Sequence, residues 1–178
     1  MNREQLQHVL RAASRIVHDF DAVVIGSQSI LGSHDERDLP DAATRSIEVD
    51  IAFLDDPDSA KSDAIDGAIG ELSRFHESFG FYGQGVSIET AVLPGGWKDR
   101  LLTIYIDGGA ARAMCLDSND CVVAKLVADR PKDREFGSAL IQAGLVDPAV
   151  LIERVALLPS SVGDGQGAAI KDWIRRQI

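Results

Sequence analysis

Glu48 and Asp50 stand two positions apart in the apolar run Ser46-Ile47-Glu48-Val49-Asp50-Ile51, about twenty residues after Val23-Val24-Ile25-Gly26-Ser27. Alternation along a strand puts residues i and i+2 on one face, so the two carboxylates project together. Ile47, Val49 and Ile51 then point into a core. Two adjacent carboxylates repel unless a cation or solvent relieves them, and a site made only of oxygen ligands suits magnesium or manganese. The Gly26-Ser27 step, between a strand and the helix start Gln28-Ser29-Ile30-Leu31, offers N–H groups, a helix dipole and a hydroxyl to a phosphate. Each signal is weak alone: Gly-Ser turns are common, and alternating acids often mark a wet strand face. Together they describe a nucleotide site, with donors for the phosphates and carboxylates for their metal.

The elements that must position these groups follow from periodicity and punctuation. An amphipathic helix is expected over residues 3–20, then strands over 22–26 and 46–54 with a brief helix (27–33) and a polar loop (34–44) between them. Residues 60–79 carry one helical pattern, and residues 80–85 read as a loop too rich in glycine for a helix. An extended segment over 86–93 and a hairpin of 101–106 with 111–116 about Asp107-Gly108-Gly109 complete the strands. Helices then start at Asp117-Ser118, at Pro131 and at Asp147-Pro148, with a last one over 167–178. The expected fold is α/β (α+β): a mixed sheet with flanking helices as a core over 1–116, and C-terminal helices over 117–178 packed on it as one compact unit.

A length of 178 residues, 45% hydrophobic and 26% charged, suits one soluble domain with a sizeable core. No apolar run spans a membrane, and the charged start Met1-Asn2-Arg3-Glu4-Gln5 lacks a signal-peptide core, so a cytoplasmic protein is expected. Two cysteines, Cys115 and Cys121, make neither a disulfide framework nor a zinc site. No Ser or Cys sits beside a matched His, which leaves a hydrolase without support. The net charge of −10 is concentrated: residues 34–66 hold eleven acids against three bases, whereas residues 98–178 hold eleven of each. Most of that acidity reads as a solvated loop, although its surroundings suit cation capture.

Gly26-Ser27 followed by Glu48-x-Asp50 resembles the signature of the DNA polymerase β-like nucleotidyltransferase superfamily. The stretch from Ala124-Lys125-Leu126 to Asp133-Arg134-Glu135-Phe136 is similar to the Lys-Leu-x-Ala…Arg-x-x-Asp segment of minimal bacterial nucleotidyltransferases related to the AbiEii toxins. The segment from Gly85 to Trp97 also looks like bacterial proteins of this group that lack an assigned activity. The resemblance covers residues from about 20 to 145. It implies transfer of a nucleoside monophosphate from an NTP to a hydroxyl on RNA or protein, in a toxin–antitoxin setting with a partner antitoxin or toxin. It further implies Glu48 and Asp50 as metal ligands and catalytic acids, Gly26, Ser27 and Lys125 as nucleotide-binding residues, and Asp133 as base near the acceptor hydroxyl.

The chain departs from the family pattern at Glu48, where Asp is usual, and at Gln28, where smaller residues are usual. For a third carboxylate Glu89 is the first candidate and Asp107 the second. An alternative reading, favoured by Glu48 and the lack of an evident third acid and opposed by Lys125 and Asp133, is a catalytically inactive, antitoxin-like binding module on the same scaffold. For Asp133 an exposed ion pair competes with the base role. Arg45 could touch phosphates or neutralise the acid excess, and Trp97 could lid a base or pack at the rim.

Overall fold

The computed structural model describes residues 1–19, 21–106, 109 and 111–178. Helix α1 (Arg3–Val17) opens on a capping box, in which the Asn2 side chain accepts from the Gln5 amide and the Gln5 side chain accepts from that of Asn2. It buries Leu6, Val9, Leu10 and Ala13 and ends at His18, whose φ of 53° is left-handed. Strand β1 (Ala22–Val24) is short and wholly buried. A 3-10 turn (Ser27–Ser29) runs into the four-residue helix α2 (Ile30–Ser33). So short a helix carries little of the dipole that the sequence led us to expect. The expected polar loop holds a 3-10 turn (Glu36–Asp38) and helix α3 (Asp41–Thr44). Strand β2 (Glu48–Phe53) follows.

Three expectations fail in the middle of the chain. The single helix over 60–79 is two, α4 (Ala60–Ile69) and α5 (Arg74–Phe79). Between them Gly70 closes α4 where an added Cβ would lie 2.4 Å from the Asp66 carbonyl oxygen, Leu72 is left-handed, and Ser73 caps α5. The supposed glycine loop contains strand β3 (Tyr82–Gly85). Its glycines serve close packing rather than a turn: a Cβ on Gly83 would lie 2.9 Å from Val9 Cγ1, and one on Gly85 would lie 2.0 Å from the Ser62 carbonyl oxygen. Helices α1 and α4 can therefore press directly on this strand. The segment 86–93, expected as a strand, instead makes a 3-10 turn (Ile88–Thr90) capped by Ser87.

Strands β4 (Leu102–Ile106) and β5 (Ala111–Cys115) pair as the expected antiparallel hairpin. The sheet runs β3-β2-β1-β5-β4, with β1–β5 and β2–β3 parallel and the other two pairs antiparallel. It is a mixed sheet, as expected, and β1 lies at its centre.

Helices α6 (Ser118–Ala128), α7 (Pro131–Gln142), α8 (Pro148–Val155) and α9 (Asp164–Arg175) complete the fold. The last begins and ends three residues before its expected bounds. Helix α6, expected with the other C-terminal helices to pack on the core, packs chiefly against α7 and α8, with lesser contacts to α2, α9 and the 27–29 turn. One buried apolar core nonetheless runs from Val24 and Ile51 through Val122 and Leu126 to Leu140 and Ile174. The fully buried Asp120 ties the layers together, pairing with Arg100 at 2.8 Å and Arg154 at 3.3 Å. No helix of the described residues is long and apolar enough to cross a membrane.

Candidate functional site

Val49 and Ile51 are buried, while Glu48 and Asp50 take the opposite, partly open face of β2. Ile47, expected in the core, is 49% exposed because β2 begins only after it. Burial, followed by the neighbouring Asp50 charge, pushes the Glu48 carboxyl above its ordinary range. Tyr82, opposite Glu48 in the parallel register, donates its hydroxyl to Glu48 Oε2 at 3.3 Å. Burial, then the Glu48 charge, raises the Tyr82 phenol to about 12, so it remains a donor.

The turn after β1 meets the acids directly. Ile25 N–H donates to the Asp50 carbonyl at 3.1 Å, and a Cβ built on Gly26 would stand 1.7 Å from Asp50 Oδ2. Glycine at 26 is thus required by the carboxylate that occupies its side-chain space. Its φ of −88° asks for no glycine on backbone grounds. Beneath the turn the buried Cys121 thiol donates to the Gly26 carbonyl at 3.5 Å. Ser27 faces outward into a cleft of about 200 Å³, while Gln28 is buried.

The far wall of that cleft comes from α6 and α7, and includes Lys125, Lys132, Asp133 and Phe136. Asp117 caps α6 through its carboxylate, and Pro131 opens α7 at a position where a missing N–H costs nothing. These two starts set Lys125 and Asp133 side by side: Lys125 Nζ lies 3.4 Å from Asp133 Oδ1 and 5.2 Å from the Phe136 ring centroid. Asp133 is 1% exposed and also accepts from Arg130 Nε at 2.6 Å and Nη2 at 3.2 Å. Its burial alone would raise the carboxyl, but the Arg130 hydrogen bonds and the Lys125 and Arg130 charges hold it below the ordinary range. The bland reading of Asp133 as an exposed ion-pair partner is therefore set aside.

Charge connects the walls. The Arg130 guanidinium lies in the field of both Asp50 and Glu48, and Glu48 feels the ammonium of Lys132. At the mouth Arg45 pairs with Glu135 of α7 at 3.0 Å, so it bridges the cleft rather than simply neutralising the acidic loop.

Of the two candidates for a third carboxylate, only Glu89 can be placed. Glu89 is exposed on its 3-10 turn, and Asp107 lies outside the described residues. The sheet position beside Asp50 belongs to Gln84, whose amide donates to both Asp66 carboxylate oxygens at 2.9 and 3.0 Å. Among the described residues no group of three or more His, Cys, Asp or Glu could hold a metal. Trp97 packs against the core in a 3-10 turn (Trp97–Arg100) held to α6 by Arg100, and it takes no part in lining the cleft.

Sequence reasoning missed Tyr82, Gln84, Arg130 and Lys132. For the first two no local signal existed, because the glycines beside them hid the strand; the last two stand in the segment already singled out around Lys125 and Asp133.

A protein-family model described as "Nucleotidyltransferase of unknown function (DUF6036)" matches residues 4–155. The match covers most of the chain, which belongs to that family. It includes the Gly26-Ser27 turn, both acids, Lys125 and Asp133, and stops at the end of α8. No curated protein and no solved structure matches the chain.

Proposed function

We propose that this member of the nucleotidyltransferase family moves a nucleoside monophosphate from an NTP to a hydroxyl on RNA or protein, assisted by a divalent metal between Glu48 and Asp50. The observation that carries the proposal is the meeting of the two acids with the Gly26-Ser27 turn, sealed by an Asp50 carboxylate that fills the space of the missing Gly26 Cβ. The donor set suits the metal. Both contributors are carboxylates, they repel each other, and two protein ligands leave coordination positions for phosphates and water, as magnesium prefers. When bound, magnesium or manganese would polarise the α-phosphate and lower the pKa of the acceptor hydroxyl.

The chain supplies the rest. Ser27 offers its hydroxyl to a phosphate oxygen from one wall of the cleft, and Lys125 offers its ammonium from the other. Tyr82 holds Glu48 in orientation. The acceptor oxygen forms its bond to the α-phosphorus as the bond to the bridging oxygen breaks; pyrophosphate leaves with that electron pair, and the hydroxyl proton passes to solvent. Positioning and charge neutralisation are what such a site contributes to the rate.

One observation favours the alternative, an inactive binding module: Gln84, an amide, stands beside Asp50 where another carboxylate would strengthen the metal site. Intact-mass and gel analysis of the protein incubated with each NTP, magnesium, and either bulk tRNA or a cell lysate separates the two. The proposal expects a mass gain of one nucleoside monophosphate on an acceptor, lost in Asp50→Asn. NTP binding without any transfer would establish the alternative. The toxin–antitoxin setting belongs to the same proposal, with growth arrest on expression as its expected sign.

A further inference from the structure

Asp133 sits in the wrong surroundings for a base. Its carboxylate is 1% exposed and its oxygens are occupied by Arg130 Nε at 2.6 Å, Arg130 Nη2 at 3.2 Å and Lys125 Nζ at 3.4 Å. A base must reach the hydroxyl it deprotonates and must want the proton. A buried carboxylate neutralised by two cations does neither. Such a group is well made, however, to hold two cations in place.

One of those cations feels the acid pair, and the other lines the cleft. Lys125 lines the cleft opposite Ser27, and Arg130 lies in the field of Glu48 and Asp50. Arg130 spends two of its nitrogens on Asp133, while its side chain stays 56% exposed. Its Nη1 carries no protein hydrogen bond among the described residues, and the ammonium of Lys125 spends one of three donors on Asp133. Two cations with donors to spare, fixed from below by one carboxylate, match a polyanion with several oxygens.

We infer that Lys125 and Arg130 form a preassembled clamp for the β- and γ-phosphates of an NTP, with Asp133 as the positioning residue that anchors both. The inference rests on the nucleotidyltransferase reading and adds to it a second phosphate ligand, Arg130, while moving Asp133 from the chemistry to its support. The guanidinium presents its remaining donors as a planar fork suited to phosphate, and the Lys125 ammonium acts as a point charge beside it. Anchoring removes much of the entropy that a half-exposed arginine would otherwise lose on binding.

The test is calorimetric titration of the full chain with inorganic tripolyphosphate and with magnesium–NTP, alongside steady-state transfer. Arg130→Gln, with its folding verified by thermal unfolding, should bind tripolyphosphate about tenfold more weakly, the loss expected for one charge-assisted hydrogen bond. Asp133→Asn should weaken the same binding and raise KM for the NTP while the pH profile of kcat keeps its shape. Adding Asp133→Asn to Arg130→Gln should cost less than the two separate losses, since the two share the Arg130 guanidinium and only the hold on Lys125 remains to be lost. Unchanged tripolyphosphate affinity in Arg130→Gln overturns the clamp but leaves the nucleotidyltransferase reading intact. Unchanged affinity in Asp133→Asn with collapsed kcat and a lost acid limb makes Asp133 the base after all. If the wild-type chain binds neither tripolyphosphate nor NTP, both readings fall.

Discussion

Replacing Gly26 by alanine perturbs the site with one methyl group. The backbone there, φ −88° and ψ −164°, is open to any residue, so no conformational strain accompanies the change. The added Cβ would lie 1.7 Å from Asp50 Oδ2, 2.6 Å from its Cγ and 3.0 Å from its Cβ. Restoring ordinary contact of about 3.5 Å takes a carboxylate shift of nearly 2 Å. Rotation of the Asp50 side chain alone leaves its Cβ too close, so β1 and β2 must also part slightly. Overpacking of this kind costs about 1–3 kcal/mol. Displacement of a site group by about 1 Å costs on the order of 100-fold in rate.

The assay is thermal unfolding with and without magnesium–NTP, together with transfer kinetics. For wild type, ligand at about 100 times Kd adds ~2.7 kcal/mol. In a chain of this length that corresponds to roughly 5–10 °C in Tm. Gly26→Ala should lower the apo Tm, abolish most of the ligand-induced rise and reduce kcat/KM at least ~100-fold. An apo stability within about 0.5 kcal/mol of wild type, with the full ligand shift retained, would refute the reasoning.

Three further outcomes are expected. Asp50→Asn keeps the fold, because the isosteric amide still fits beside Gly26, but loses the metal-dependent part of the NTP shift; an equal shift in the variant would place the nucleotide elsewhere. Asp120→Ala leaves Arg100 and Arg154 without their buried partner and should lose about 3 kcal/mol in urea denaturation, so a loss under 1 kcal/mol would show that the pairs are dispensable. Asp133 is held below its ordinary pKa, so its charged form stabilises the fold above the unfolded value near 4, and that contribution disappears as pH falls through the folded value. Wild type should therefore lose stability on acidification below about pH 4 more steeply than Asp133→Asn, and parallel acid limbs would contradict the pairing.

Much of this protein was legible in the chain because its signals are local. Alternation around Glu48 and Asp50 requires only the period of a strand, and the caps at Asp117, Pro131 and Asp147 act within one helical turn. The hairpin of β4 and β5 is a neighbouring pair. What only the tertiary structure decided depends on close approach between distant segments. Gly83 and Gly85 read as loop formers until α1 and α4 press on them, and that contact turns Tyr82–Gly85 into the strand that sets Tyr82 and Gln84 beside the acids. Local propensity cannot express such a contact, since glycine signals flexibility and proximity with the same letter. Between Lys132 and Arg134, Asp133 read as well as an exposed ion-pair partner as it did as a base. It is buried where Arg130 at the start of α7 and Lys125 of α6 close on it, and the balance of burial against two cations exists only once α6 and α7 have packed.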